Sequence, residues 1–428
     1  MKIAVIGGGL TGLTAAFRLT QKGQAVTLFE KENQLGGLAA SFKKEGWDWP
    51  VEHYFHHFFA SDQAVKNLAR HLNLEKKLFF HQPKTSLYLE GKIFRFDNPQ
   101  SLFSFPKLGL IDKLRTGATT LFLKTNPFWQ PLEKLSATTF IQKTMGQKAF
   151  RLIWQPLFLG KFGSFAEQIP ASWFWARIKK RSSALGYFMG GTETLTTALA
   201  EKIKKSGGQI FLGQEISRIQ KTTNGFLLFS QNQNFEAKFE KVIATVPPAS
   251  LAKLAVNLST SEKKQLLALE SLGSLCLVLA LKETFLTDGT YWLNINERDF
   301  PFVAVVEHTN FIDKKNYQQN TLLYVGGYYP PGHSFFQQTK NTLLKKFLPY
   351  LQKINPNFNF NQNLIHYWLF KDNYSQPVIF LNQPQNLPSI ATSIPGLYWA
   401  CLHHIYPEDR GINCAILLGE KLAHEIVS

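Results

Sequence analysis

Short apolar runs alternate with an amphipathic stretch at the start of the chain. Residues Ile3 to Ile6 are apolar, a stretch with helical spacing follows to about Leu19, and a second apolar run covers Ala25 to Phe29. Apolar runs of this length are typical of buried strands, and the stretch between them is long enough for a helix. The pattern therefore predicts a β-α-β unit in the first 30 residues.

The same analysis predicts elements along the rest of the chain. Helices are predicted at Ser61 to Leu74, Ser136 to Ile153, Glu193 to Lys205 and from about Gly411 to the end. Strands are predicted at a Thr85 to Phe96 hairpin turning at Glu90-Gly91, and at Gln209 to Leu212, Ile216 to Ile219, Gly225 to Phe229, Phe235 to Phe239, Lys241 to Val246, Leu275 to Leu281, Tyr291 to Ile295, Pro301 to Val306, Leu322 to Tyr328, Leu364 to Leu369 and Leu397 to Ala400. Lys179-Lys180-Arg181 is predicted to be an exposed loop.

These elements predict an α/β protein with two domains, one interrupting the other. A chain of 428 residues is too long for one core. We assign 1–75, 185–255 and 391–428 to a Rossmann-like nucleotide-binding domain. The inserted α+β substrate domain has a helical part, 76–184, and a sheet part, 256–390.

The first predicted strand ends in a glycine-rich turn. Gly7 permits a tight turn, Gly9 lets the backbone approach a pyrophosphate, and Gly12 allows close helix packing, with the phosphates at the helix N-terminus. Glu30, at the end of the second strand, suits the hydroxyls of an adenosine ribose. A structural turn is the alternative for such a spacing alone, but together these residues predict an ADP-containing cofactor.

A second pair of glycines follows in Lys31 to Ser41. Gly36 and Gly37 again allow the backbone to lie against a ligand. Glycines in two loops at the same strand ends indicate a long cofactor.

The charge and the cysteine content indicate which classes of partner and which cellular compartment to expect. The chain has 47 Lys+Arg against 30 Asp+Glu, a formal net charge of +17, which indicates an anionic membrane surface, a phosphorylated substrate or a generally basic surface. Nucleic acid is not expected, because no zinc-ligand spacing or RNA-recognition motif accompanies the charge. Three cysteines in apolar surroundings are predicted to be buried and reduced, hence a cytoplasmic protein. No apolar stretch is long enough for a spanning helix.

The stretch from Leu102 to Leu135 is both basic and aromatic. Apolar residues such as Phe103, Ile111 and Phe122 interleave with lysines and arginines. One interpretation is a surface that rests on lipid headgroups; the other is a set of core-facing helices with basic outer faces.

With these motifs in view, the chain resembles the superfamily of FAD-dependent amine oxidases, protoporphyrinogen oxidases and phytoene-type desaturases. The matching segments cover nearly the whole chain: Gly7 to Gly12 with Glu30, Leu35-Gly36-Gly37, Ser136 to Phe140 through Gln155-Pro156-Leu157, Gly190 to Leu195, Ala244 to Pro248, and Gly396 to Ala400. Tyr291 to Asn294, Glu307 to Phe311 and Tyr406 to Gly411 look like a bacterial and archaeal FAD-dependent oxidoreductase subgroup that also resembles UDP-galactopyranose mutases. The resemblance implies a GR2-type FAD-binding domain.

The resemblance assigns FAD-binding roles at matching positions. Ile216 would meet the adenine, and the helix start at Gly411-Ile412-Asn413 would approach the flavin pyrimidine, where the helix dipole favours negative charge. The predicted FAD-binding residues are Gly7, Gly9, Leu10, Thr11, Gly12, Glu30, Lys31, Gly36, Gly37, Leu38, Ile216, Val246, Gly411, Ile412 and Asn413.

Two departures from the superfamily pattern bear on chemistry. Cys401-Leu402 replaces a frequent Gly-Asp, which removes a carboxylate expected at the ribityl or pyrophosphate group. The position of the lysine that amine oxidases carry near the flavin is predicted to hold Cys276. An oxygen-driven amine oxidase is therefore not expected.

Candidate catalytic residues come from three segments. His53 resembles a histidine that relatives hold beside the flavin, the alternative being a packed histidine. Glu307 and His308 are predicted to face the substrate cavity or to form a structural pair at a strand end. Tyr406 and Arg410 precede the flavin-facing helix; Arg410 could bind a phosphate or carboxylate, or pair with Glu408 or Asp409.

No metal site is expected, because no carboxylate or cysteine completes a ligand pattern around the histidine pairs His56-His57 and His403-His404.

The predicted function is hydride transfer from a hydrophobic or amphipathic small molecule to flavin N5. The alternatives are a mutase-like flavoenzyme acting on a nucleotide sugar or glycolipid without net redox change, and a flavin-binding protein without turnover. The sequence does not identify the substrate, the electron acceptor or the oligomeric state.

Overall fold

The computed structural model describes residues 1–230, 236–383 and 387–427. Within them the strands are β1 (Lys2–Ile6), β2 (Ala25–Phe29), β3 (Ser41–Phe42), β4 (Val51–Glu52), β5 (Phe58–Phe59), β6 (Leu78–His81), β7 (Lys84–Leu89), β8 (Lys92–Arg95), β9 (Leu185–Phe188), β10 (Gln209–Phe211), β11 (Ile216–Thr222), β12 (Gly225–Ser230), β13 (Glu236–Phe239), β14 (Lys241–Ala244), β15 (Ser271–Leu281), β16 (Thr290–Ile295), β17 (Ala304–Glu307), β18 (Thr321–Tyr329), β19 (Leu364–Pro377) and β20 (Leu397–Trp399). Phe235, the first residue of one predicted strand, lies outside the described residues.

The helices of the same residues connect and cover the sheets. They are α1 (Leu10–Gln21), α2 (Gln63–His71), α3 (Pro99–Ser104), α4 (Leu110–Thr125), α5 (Ala137–Met145), α6 (Gln147–Ala149), α7 (Gln155–Phe162), α8 (Ala171–Lys180), α9 (Glu193–Lys205), α10 (Pro248–Leu254), α11 (Thr260–Leu267), α12 (Lys340–Ile354), α13 (Phe360–Asn363) and α14 (Ile412–Glu425).

A parallel five-stranded sheet gathers strands from distant parts of the chain. Its order is β10-β2-β1-β14-β20, and the central strand β1 pairs with both β2 and β14. All five strands are parallel, so they end at the same edge, and α1 packs against both α14 and α9. The predicted β-α-β unit, and its continuation after an insertion, are confirmed.

A seven-stranded sheet forms the second layer, in the order β19-β15-β18-β17-β16-β7-β8. The predicted hairpin of β7 and β8 is confirmed, and its turn residues Glu90 and Gly91 both have positive φ. Because β7 pairs with β16, residues near 85 and near 292 share one sheet. The fold is a mixed α/β architecture of the FAD-binding type predicted above; the five boundaries assigned to its domains remain a prediction.

Two predicted elements differ in detail. The helix predicted at Ser136 to Ile153 is interrupted at Gly146, whose φ of 103° breaks the helical geometry between α5 and α6. The loop predicted at Lys179 to Arg181 is wrong in part, because α8 continues to Lys180. A run of three basic residues is typical of an exposed loop, but α8 buries Trp173, Phe174 and Ile178 in the core of the helical part and continues into that run.

Helix α4 presents apolar side chains to the outside. Its buried residues are Thr116, Thr119 and Leu123. Exposed instead are Leu110, Ile111, Leu114, Leu121 and Phe122, with exposed fractions from 50% to 73%. The interpretation of a core-facing helix with a basic outer face is therefore wrong for α4. In the part of the chain that the structure describes, no helix is long and apolar enough to cross a membrane.

Candidate functional site

A cavity of about 1140 Å³ lies between the carboxyl edge of the parallel sheet and the seven-stranded sheet. Its wall includes the turn after β1, the end of β2, residues 53–57, parts of β18 and β19, and the segment before α14. Large cavities at the carboxyl ends of parallel strands are the usual place for nucleotide cofactors.

The glycine turn has the geometry that the sequence predicts. Gly7 has a φ of +109°, and its amide donates to Phe29 O at 2.8 Å. A Cβ at Gly12 would lie 2.0 Å from Gly7 O, so α1 approaches the turn more closely than any side chain permits. Gly12 itself does not line the cavity; its predicted role in helix packing is the one the geometry supports.

The two glycine loops touch each other at the cavity. The amide of Gly36 donates to Gly8 O at 2.9 Å, and a Cβ at Gly37 would lie 3.2 Å from Gly9 Cα. Both loops therefore present backbone, not side chains, to the same space. This is the approach that an extended diphosphate needs.

The Glu30 side chain lies against the glycine turn and is hydrogen-bonded to it. It is 8% exposed, and its two carboxylate oxygens accept hydrogen bonds from the amides of Gly8 at 2.6 Å and of Glu32 at 2.9 Å. The carboxylate also lines the cavity. It fixes the loop and offers its remaining lone pairs to a ribose.

Two helix N-termini open onto the cavity. Helix α1 begins after Gly9 and α14 after Gly411, and neither has a side-chain cap among the described residues. Uncapped amides and the positive ends of two helix dipoles favour negative charge in the space between them. The residues present thus fit a dinucleotide with a diphosphate at one end and an electron-accepting ring at the other.

The other predicted cofactor residues divide by role. Apart from Gly12, all of them line the cavity: Leu10, Thr11, Lys31, Leu38, Ile216, Val246, Ile412 and Asn413. The amide oxygen of Asn413, however, accepts from the backbone of Ala64 at 3.0 Å and Val65 at 3.3 Å. Its side chain therefore caps α2, a task that the sequence spacing of 349 residues conceals.

Three histidines of the cavity wall lie close together in the chain, in the segment after β4. His53 stacks on Phe370 with ring centroids 4.0 Å apart, His56 Nδ1 donates to Tyr54 O at 2.6 Å, and His57 Nδ1 lies 3.1 Å from the Tyr291 hydroxyl. Burial lowers the pKa of His53 to about 4, that of His56 to about 4 and that of His57 to about 3. All three are neutral near pH 7 and can accept or donate one hydrogen bond.

Arg410 lies in a buried group of charges at the same cavity. Its guanidinium donates to the Tyr328 hydroxyl, and the neighbouring Asp409 pairs with Lys161 at 3.1 Å and with Arg177 at 3.0 Å. Burial opposes ionisation of Asp409, but the three cations outweigh it and hold its pKa at about 2. The predicted pairing of Arg410 with Glu408 is not observed; Glu408 pairs with Lys180 at 2.9 Å.

Glu307 and His308 do not face the cavity, so that prediction is wrong and the structural alternative fits. Glu307 is fully buried and accepts from the amides of Leu286 at 2.5 Å and Phe285 at 3.2 Å. His308 Nε2 lies 2.9 Å from the Tyr317 hydroxyl. The strand β17 begins at the cavity wall with Ala304 and runs away from it, so Glu307 and His308 lie in the core.

Tyr406 and Cys276 also lie away from the main cavity. The Tyr406 hydroxyl bonds Ser172, and its ring borders a separate small cavity. Cys276 is 2% exposed in the middle of β15 and is not in the cavity wall. A lysine does reach the wall on the adjacent strand, but the Lys371 ammonium donates to Phe336 O and Gln338 O.

The Cys401-Leu402 departure lies at the cavity, and its effect on the ribityl or pyrophosphate contact remains a prediction. Both residues line it, and the Cys401 sulfur lies 3.6 Å from His404 Nδ1. Burial raises the pKa of this thiol to about 12, so it carries no charge in place of the missing carboxylate. The three cysteines are buried and free of disulfides, as the sequence predicts.

Several residues at the site carry no sequence signal. Lys161 and Arg177 come from α7 and α8, far along the chain from Asp409. Glu52 is fully buried and accepts from the Tyr187 hydroxyl at 2.7 Å and the Thr192 amide at 2.8 Å, which holds the segment before His53. Burial raises the pKa of Glu52.

The fold and the cavity define a dinucleotide-binding α/β protein with a second sheet over the cofactor site. The model of the family "Flavin containing amine oxidoreductase" matches residues 10–427, and the chain belongs to that family. The cofactor of the chain is FAD.

Individual relatives are similar over short segments or in fold alone. One segment of 51 residues is 57% identical to a 4,4'-diapophytoene desaturase of Staphylococcus haemolyticus, covering 12% of this chain and 10% of that protein. The structure of an oxidoreductase from Methanosarcina mazei superimposes with a TM-score of 0.76 at 18% identity, over 99% of this chain and 100% of the other. Reduced UDP-galactopyranose mutase gives a TM-score of 0.77 at 16% identity, over 100% and 95%.

Proposed function

We propose that the chain oxidises a hydrophobic or amphipathic substrate by hydride transfer to flavin N5, as desaturases do. The observation that carries the proposal is the shared cavity, whose wall combines a backbone cradle for FAD with neutral histidines and apolar side chains. Bound FAD supplies the hydride acceptor. The similarity of one segment to a desaturase supports this direction of chemistry.

The side chains of the cavity have three tasks in this reaction. Phe55, Trp292 and Phe370 offer an apolar surface for the substrate and exclude water. His53, held neutral by burial, can take the proton released with the hydride at its free ring nitrogen. Stacking on Phe370 fixes the plane of that ring.

Anaerobic reduction tests the proposal. The purified holoprotein is mixed without oxygen with amphipathic and apolar polyenes or their saturated precursors, and flavin absorbance near 450 nm is followed. Bleaching by one substrate class is expected. Conversion of a sugar isomer only after dithionite reduction would instead establish the mutase alternative, and flavin that no substrate or reductant uses would establish a binding protein.

We also propose that the protein works at an anionic membrane surface. Phe103, Phe128 and the outer face of α4 offer exposed apolar side chains. Lys113, Arg115 and Lys124 lie on the same helix. An exposed apolar face with basic residues around it suits insertion among anionic lipid headgroups. An apolar substrate partitions into the same bilayer.

Vesicle flotation at low salt tests the membrane proposal. We expect binding to vesicles of phosphatidylglycerol and phosphatidylcholine, and at least a tenfold weaker partition of the Ile111→Ser/Phe122→Ser variant. Leu267→Ser is the matched control, because Leu267 is 63% exposed on α11, outside this surface. Equal flotation of all three proteins, or none of the wild type, contradicts the proposal.

A further inference from the structure

A cluster of cations lies in the cavity wall, and we call Lys161, Arg177, Arg410, Asp409 and Tyr328 the basic cluster. All five line the cavity. They come from α7, α8, β18 and the segment before α14, so four parts of the fold converge on one point. Charges taken out of water this way cost free energy unless they are paired.

Pairing inside the basic cluster is incomplete. One carboxylate oxygen of Asp409 accepts from both Lys161 and Arg177, at 3.1 and 3.0 Å. Arg410 donates to the hydroxyl of Tyr328 and forms no ion pair with a carboxylate among the described residues. The cluster thus contains three basic side chains and one carboxylate, and positive charge is in excess.

Among the described residues, no other carboxylate of the wall forms an ion pair with Lys161, Arg177 or Arg410. Glu408 is paired with Lys180. Asp62 and Asp372 accept from the amides of Phe59 and Tyr374, at 2.8 and 2.6 Å, and within the described residues neither forms an ion pair.

Two guanidinium donors of the cluster have no acceptor within the described part of the chain. The Nε atoms of Arg177 and Arg410 are buried, and no acceptor among the described residues reaches them. A buried charged donor without a partner is costly, and a fold that keeps two of them at a cavity is suited to an acceptor that arrives with a ligand.

We propose that the basic cluster binds the anionic group, a carboxylate or a phosphate monoester, of an amphipathic substrate whose apolar part lies along Phe55, Trp292 and Phe370. The proposal rests on the proposed function for the identity of the site. Arg177 and Arg410 supply fixed forks of donors, and Lys161 supplies a further charge. The same excess charge repels an amine, so the cavity disfavours cationic substrates.

Calorimetric titration of the holoprotein tests this without turnover. The probes are decanoate, decyl phosphate, decanol and decylamine, each below its micellar concentration. We expect one or both anions to bind at least tenfold more tightly than decanol, and decylamine not to bind. The anion that binds more tightly shows whether the anionic group of the substrate is a carboxylate or a phosphate monoester.

Variants locate the anion at the cluster. Arg410→Gln and Arg177→Gln should each weaken anion binding about tenfold, since each removes one charge-assisted contact, and leave decanol binding unchanged. Arg410→Lys should lose less. Arg151→Gln, at an exposed arginine outside the cavity, is the matched control and should bind as the wild type.

Two outcomes overturn the inference. In the first, decanol binds as tightly as both anions. In the second, the affinity for the anions is the same in Arg177→Gln and Arg410→Gln as in the wild type. FAD content shows that each variant is folded, and Arg177→Gln decides if Arg410→Gln does not fold. If the wild type does not bind the anions although a substrate reduces its flavin, the basic cluster alone is refuted. If the wild type binds the anions but no substrate reduces its flavin, the redox proposal alone is refuted.

Discussion

The two ends of the cavity are built in different ways. At the cofactor end, the ligand-facing groups are backbone atoms of the turns at Gly7–Gly9 and Gly36–Gly37, supported by Glu30. At the other end, they are side chains such as Trp292, Lys161 and Arg410 from well-separated segments. The cofactor end is therefore a property of local chain geometry, and the substrate end is a property of the tertiary fold.

This difference decides how each end tolerates change. Backbone cradles depend on the absence of side chains, so adding one methyl group disturbs them. Side-chain clusters depend on charge and hydrogen bonding, so they respond to isosteric replacement and to pH. Mutations at the two ends should therefore differ in their effects: an added methyl group should disturb the cofactor end, and a change of charge or hydrogen bonding should alter the substrate end.

Gly12→Ala should give the largest effect. Its new Cβ would meet Gly7 O at 2.0 Å and Thr245 Oγ1 at 2.9 Å, and both the turn and β14 would have to shift. We expect a loss of about 3 kcal/mol in the free energy of unfolding, with loss of bound FAD. Thermal unfolding and flavin content measure it.

Gly117→Ala is the control for that variant. Gly117 lies in α4, where a Cβ meets nothing within 4 Å, so alanine should be neutral or stabilise by up to about 1 kcal/mol. Retention of FAD by Gly12→Ala would contradict the account of the cradle.

Glu307→Gln should change the pH dependence of stability rather than the chemistry of the cavity. Burial raises the pKa of Glu307 to about 7, above its usual value near 4.5. The folded state then binds the proton more tightly than the unfolded state. Stability from this group is present below about pH 4.5 and falls as the pH rises to about 7, by at most about 3 kcal/mol.

The neutral amide removes that dependence. The fall in Tm between pH 5 and pH 8 should be smaller in Glu307→Gln than in the wild type, and unchanged in Glu201→Gln, at an exposed position of α9. Identical pH dependence of wild type and Glu307→Gln would refute the buried assignment. If Glu307→Gln no longer bound decanoate or decyl phosphate, Glu307 would have to face the cavity.

What the sequence could predict follows the same division. The strand-turn-helix pattern and its glycines predict the cofactor end, because a residue without a side chain is itself the signal. Alternating patterns also predict the hairpin and most strands of the second sheet. The pairing of Asp409 with Lys161 and Arg177 has no local signal, since a lysine on a helix is typical of a solvated face. Nor could Glu307 be placed from the sequence, because a carboxylate at a strand end indicates a site only if the strand ends at the cavity.

Glu30→Ala should weaken FAD binding by about ten- to a hundredfold. The carboxylate accepts from the Gly8 and Glu32 amides, and bonds to a charged acceptor contribute about 1.5–3 kcal/mol. Glu30→Gln should lose less, because its carbonyl oxygen replaces one acceptor. Flavin fluorescence on titration of apoprotein gives the affinities.

Glu32→Ala serves as the neighbouring control, since the Glu32 side chain is 65% exposed and pairs only with Lys31, at 3.6 Å, among the described residues. Equal losses in Glu30→Ala and Glu32→Ala would mean that general negative charge, not the fixed loop, governs affinity.

Asn413→Ala should have the smallest effect, and it tests where the cofactor end stops. Asn413 lines the cavity beside the predicted flavin position, yet its amide oxygen caps α2 through the amides of Ala64 and Val65. Loss of a cap costs about 1 kcal/mol, so Tm should fall slightly while FAD affinity stays unchanged. Asn413→Asp retains the acceptor and should restore stability. If FAD affinity falls in Asn413→Ala but recovers with aspartate, the oxygen serves the cofactor through the position of α2; if affinity stays low with aspartate, the amide N–H contacts FAD directly, and the substrate and cofactor ends share this residue.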